Sequence, residues 1–293
     1  MKPGKDHPVL PGITVLLAVL ISAVSLVGMF SNGFYAKESF NWQIQALGQD
    51  EIDLFIITPL LLITGINFSK NNKISTLLWA GTLLYLVYTF AIYCFDVHFN
   101  YLFPVYCVIL GLSFYSFLWV IYKLAGYPPK FHAKGMHLVR VNGIYFIVLS
   151  VVFYLLWLSE IGKAIFLSTI PDSVAKSGLP TNPVHVIDIS IFLPAMFLTG
   201  IFVLKRKPMA FVFANILLCF FLLMDITIAW LSVKMNHAGL TSGPRVTIMM
   251  IIVAFASLVL FIINTIEGNH KKMTSDRAGN QHLQHASPQS QQF

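Results

Sequence analysis

Two aspartates set in the same local pattern are the residues of this chain best placed to do chemistry. Residues 51–66 read EIDLFIITPLLLITGI and residues 186–201 read VIDISIFLPAMFLTGI. Aligned without a gap, they agree at Ile52/Ile187, Asp53/Asp188, Ile56/Ile191, Pro59/Pro194, Thr64/Thr199, Gly65/Gly200 and Ile66/Ile201. Each copy is an apolar segment opened by an aspartate, broken by a proline and closed by Thr-Gly. At the same offset Asp50 matches His185. Each copy therefore carries two polar residues three apart, on one helix face. Two such faces related by a two-fold axis would converge on one pocket holding Asp50, Asp53, His185 and Asp188, suited to a cation, a proton or a small polar solute. Asp225 is a further candidate, because an acid inside a membrane helix needs a partner or a water-filled space. His98 is a lesser one.

The same residues have blander uses. An aspartate in the first turn of a helix satisfies free backbone N–H groups and complements the helix dipole with no function attached. A buried polar network bridging two halves of the chain is another use. Pro59 and Pro194 are expected to kink or loosen their helices, and the Thr-Gly pairs to permit close helix contact.

Other chemistries find no support. The chain has no Walker loop, GxGxxG, GxSxG, HxxxH or HExxH pattern. Cys94, Cys107 and Cys219 lie in or beside apolar runs without metal-ligand spacing. Cys94 and Cys107 flank a short connection and are able to pair if oxidised. No catalytic residue, metal or cofactor is expected.

The elements that must position these residues are membrane helices. Hydrophobic residues make up 57% of the chain and charged residues only 11%, which excludes an ordinary water-soluble domain. Long apolar runs recur, each able to cross the hydrocarbon layer. They predict spans over 13–30, 52–68, 75–95, 101–125, 143–158, 184–204, 209–233 and 246–266. The flank after the first run lacks a small-x-small cleavage site, so that run reads as a retained helix.

The expected organisation is an all-α membrane protein of eight transmembrane helices in two parallel four-helix repeats, 13–125 and 143–266. A short N-terminus, 1–12, precedes them, a basic linker, 126–142, joins them, and a polar Gln- and His-rich tail, 267–293, reads as disordered. With the N-terminus inside, fourteen of the 19 lysines and arginines fall on the cytoplasmic side. Most acids fall on the other. Both termini are therefore expected in the cytoplasm, with polar cavities opening outward. The net charge of +7 is then a topology signal and calls for no nucleic-acid partner. Four helices per copy give the copies one orientation, hence a parallel repeat.

The segment TNPVHVIDISIFLPAMFLTGIFVLKRKP resembles a pattern found in bacterial integral membrane proteins of no assigned function, in which an NPV-x-V-x-D run precedes a Pro-broken apolar helix and a basic loop. QDEIDLFIITPLLL resembles its companion. The resemblance covers the second and sixth spans with their flanks. It implies a bacterial inner-membrane protein and no particular activity.

The leading functional expectation is a permease or binding protein for a small solute or ion, held in the lipid bilayer. The alternatives are a membrane sensor or assembly subunit, whose protein partner the sequence does not name, and a metal-dependent membrane hydrolase.

Overall fold

The computed structural model describes residues 9–68, 72–126, 136–240 and 243–285. Among them there is no strand, and eight helices are long and apolar enough to cross a membrane. In chain order the helices are α1 (Val9–Phe30), α2 (Phe40–Phe68), α3 (Lys73–Asp96), α4 (Phe103–Gly126), α5 (Met136–Phe166), the short α6 (Asp172–Ser177), α7 (Pro183–Leu204), α8 (Pro208–His237) and α9 (Gly243–His285). The apolar part of α9 ends at Ile266, and its backbone stays helical to His285. Eight such helices are those expected of a multi-pass membrane protein.

Two helices form the centre. α3 and α8 each have 67% of their most apolar stretch buried, against 39% or less for the other spans. They pack on each other, closely enough at Gly81 that a Cβ there would lie 2.5 Å from Cys219 Cβ. α2 and α4 pack on α3, and α7 and α9 pack on α8. α1 closes against α2, and α5 closes against α7. The outer faces of α5 and α9 expose Val148, Val152, Leu155, Ile251, Ile252 and Phe255, an apolar surface suited to lipid tails.

The Thr-Gly pairs do what their small size suggests. A Cβ on Gly65 would lie 2.5 Å from Thr14 Cγ2 of α1, and one on Gly200 would lie 2.7 Å from Ile147 Cγ1 of α5. Each glycine is where its helix meets the preceding span.

Span boundaries depart from the expectation in an informative way. α2 begins at Phe40, twelve residues before the predicted start, with Ser39 as its cap; the Ser39 Oγ accepts from the Trp42 N–H at 3.3 Å. The early part escapes a hydropathy reading because Asn41, Gln45 and Gln49 recur every four residues as a polar stripe, with Gln43, Asp50 and Glu51 adding further polar positions. α5 likewise extends to Phe166, which shortens the long predicted loop, and that loop holds α6.

Neither proline produces a simple break. Each follows shortly after a π-helical turn, Asp53–Ile57 in α2 and Asp188–Phe192 in α7. The Thr58 N–H bonds to the Asp53 carbonyl, and the Leu193 N–H to the Asp188 carbonyl, both five residues back. Pro59 and Pro194 follow these closures or lie next to them. A proline brings no N–H and its ring crowds the carbonyl four residues earlier, and one widened turn relieves that clash.

Candidate functional site

The site is built around α3. Tyr85 and Tyr88 lie three residues apart on it and are therefore neighbours on its surface. The Tyr85 hydroxyl donates to Asp53 Oδ1 of α2 at 3.2 Å. The Tyr88 hydroxyl donates to Asp188 Oδ1 of α7 at 3.1 Å. One helix thus holds both repeated aspartates.

The two acids sit in different surroundings. Asp53 is 1% exposed. Its Oδ1 also accepts from Gln49 Nε2 at 3.0 Å, and the same nitrogen donates to the Tyr85 hydroxyl at 2.7 Å. Thr227 of α8, 3.0 Å from that hydroxyl, completes the group. Asp188 is only half-buried. Trp157 Nε1 of α5 donates to its Oδ2 at 2.9 Å, so each carboxylate oxygen has one donor and keeps further acceptor capacity.

Asp50 is fully buried, with Tyr35 donating to Oδ2 at 2.7 Å and Tyr93 to Oδ1 at 2.8 Å. Gly28 of α1 leaves the space, because a Cβ there would fall on Asp50 Oδ2. Tyr35 stands in the connection between α1 and α2. Burial, then the neighbouring Asp50 charge, push its phenol well above the usual tyrosine range. His185 packs its ring 4.5 Å from that of Trp157, with Nε2 3.8 Å from Glu160 Oε2.

Between these side chains lies a cavity of about 610 Å³. The polar stripe of α2, Asn41, Gln45 and Gln49, forms one wall, and Tyr88, Tyr93 and Asp96 of α3 form another. Phe153, Trp157 and Glu160 come from α5, Asp188 from α7, and Met224, Thr227 and Ile228 from α8. Asp172 and Lys176 of α6 close the end, where Glu160 Oε1 accepts from the Ser173 N–H at 2.9 Å.

No protein-family model, curated protein or solved structure matches this chain.

The function of the pocket must therefore be read from its own chemistry. Of the matched residues Asp50, Asp53, His185 and Asp188, only Asp188 lines the cavity. This cavity is not shared by all four. The other three stand one layer back, each against a wall residue: Asp53 holds Gln49, Asp50 holds Tyr93, and His185 packs at a tilt on Trp157. Capping does not explain the aspartates either. The cap of α2 is Ser39, and the cap of α7 is Asn182, whose Oδ1 accepts from the Val184 and His185 N–H groups at 2.9 and 3.4 Å.

Asp225 lies apart. It is 3% exposed, its Oδ2 has no hydrogen-bond partner among the described residues, and it lies within electrostatic reach of Tyr145 on α5 rather than in the cavity wall. His98 is spent on the rim: its backbone N–H and Nδ1 both meet Glu38 at 2.8 Å, which pins the α1–α2 connection to the α3–α4 one.

Gln49, Tyr88, Tyr93, Asp96 and Trp157 were not singled out by residue pattern. The four-residue spacing of Asn41, Gln45, Gln49 and Asp53 was the signal available. Aromatics in a chain with 14% of them carry none. Among the described residues no group of three His, Cys, Asp or Glu side chains is placed to hold a metal ion.

Proposed function

We propose that this chain is a permease or binding protein for a small solute, with its site in the cavity between α2, α3, α5, α7 and α8. The observation that carries this reading is the cavity's construction: a volume within the range of small-molecule sites, a largely apolar and aromatic wall, and one acid, Asp188, fixed in it by two donors from different helices. Positioned polar groups on an apolar wall are how such sites orient a ligand.

The same reading takes the chain as two parallel four-helix repeats, α1–α4 and α5–α9. Support comes from the π-turns at Asp53 and Asp188, the matching contacts of Gly65 and Gly200, and the order in which the helices of each half pack. The site then lies between the halves, where parallel repeats commonly bind. The distribution of lysine and arginine supports cytoplasmic termini, and the resemblance noted above a bacterial inner membrane, with the acidic end of the bundle outside.

The test is binding and uptake by the full chain in proteoliposomes, with Ala46→Phe, which fills the cavity, and Asp188→Asn. If both variants fold and neither changes binding or uptake, the reading fails.

A further inference from the structure

Resting on that reading, we infer that the solute is an organic cation: an ammonium group carried on an apolar or aromatic body. The wall of the cavity contains the carboxylates Asp96, Glu160, Asp172 and Asp188 against one lysine, Lys176. Asp188 and Asp96 take part in no ion pair among the described residues. Asp188 has accepted one hydrogen bond on each oxygen and keeps room for more. Asp96 is the second and independent observation. It is 2% exposed, it lines the cavity, and its Oδ1 has no hydrogen-bond partner among the described residues. A buried acceptor left open costs free energy that an N–H donor from a ligand would recover.

Size and wall chemistry specify the rest of the solute. A cavity of about 610 Å³ is far larger than a bare metal ion needs. Among the described residues no three His, Cys, Asp or Glu side chains are grouped to hold a metal ion. The faces of Tyr88, Tyr93, Trp157 and Phe153 suit both an apolar body and the cation–π attraction of an ammonium group. An anionic solute would meet the four carboxylates.

Isothermal titration of the full chain in nanodiscs at neutral pH tests this with three probes of one shape: phenethylamine, neutral 2-phenylethanol and anionic phenylacetate. Phenethylamine is expected to bind about tenfold or more tighter than 2-phenylethanol, and phenylacetate not at all. Asp188→Asn is expected to abolish the preference for phenethylamine over 2-phenylethanol, and Asp188→Glu to keep it, which guards against misfolding of the first variant. Equal binding of amine and alcohol, or preference for phenylacetate, overturns the cation assignment while the site stands, provided Ala46→Phe abolishes binding. Amine binding that survives Ala46→Phe overturns the assignment to this cavity. No binding of any probe overturns both the cation and the site.

Discussion

Asp53 and Asp188, 135 residues apart in the chain, are held by tyrosines one helical turn apart on α3. Two aspartates in similar local sequence thereby have unequal surroundings. Asp53 is sealed among Gln49, Tyr85 and Thr227, while Asp188 faces the cavity. The first acid braces the wall and the second forms it.

The tyrosines should therefore separate stability from binding. Tyr85→Phe removes a donor from a buried carboxylate and is expected to cost about 1–3 kcal/mol of stability with little change in solute affinity. Tyr88→Phe frees a half-buried acid and is expected to change affinity more than melting temperature. Thermal unfolding and titration on both variants decide it, and the reverse pattern would refute the division of roles.

The π-turns should be removable only together with their prolines. Deleting Ile191 restores a regular helix but sets Pro194 against the preceding turn, at a cost of about 3 kcal/mol. Combining the deletion with Pro194→Ala is expected to recover most of the lost melting temperature. A deletion that is harmless on its own would show that the proline does not cause the widened turn.

Gly28 is expected to tolerate no side chain. In Gly28→Ala the new methyl meets the Asp50 carboxylate and displaces it from Tyr35 and Tyr93. Overpacking of this kind costs about 1–3 kcal/mol, and because Tyr93 lines the cavity, binding should weaken too. Unchanged melting temperature and affinity would contradict the close contact.

Alkaline pH should destabilise the fold in part through Tyr35. Its folded pKa is raised above the ordinary value of 10.0, so the unfolded chain loses this proton first. The associated stability is complete below that pH and is lost as pH rises above it. Tyr35→Phe is expected to show a shallower loss of melting temperature above pH 10.0; an identical slope would remove Tyr35 from the effect.

The cysteines offer a check on the packing at the acidic end. Cys94 and Cys107 are free thiols with Sγ atoms 4.0 Å apart, whereas Cys219 is buried between α8 and α3. A mild oxidant is expected to join Cys94 to Cys107 and leave Cys219 untouched, as read by peptide mass spectrometry. Preferential modification of Cys219 would contradict the central α3–α8 contact.

The chain's own pattern was enough for the class of fold. Eight apolar segments, the positions of Pro59 and Pro194, and the close contacts at Gly65 and Gly200 follow from hydropathy and side-chain size, which act locally. The start of α2 was hidden, since a helix that turns a polar stripe toward an internal cavity looks too polar to be a span. What the tertiary structure alone decided is which polar groups share a space. Residue spacing puts Asp50 and Asp53 on one helix face and matches His185 to Asp50, but whether those faces meet depends on α3 standing between them. Its tyrosines placed Asp188 in the cavity and Asp53 behind the wall, and the packing of the bundle brought in Asp96 of α3 and Trp157 of α5, whose roles come from neighbours on other helices. Local sequence determines periodicity and helix chemistry. Burial and partnership are properties of the packed bundle.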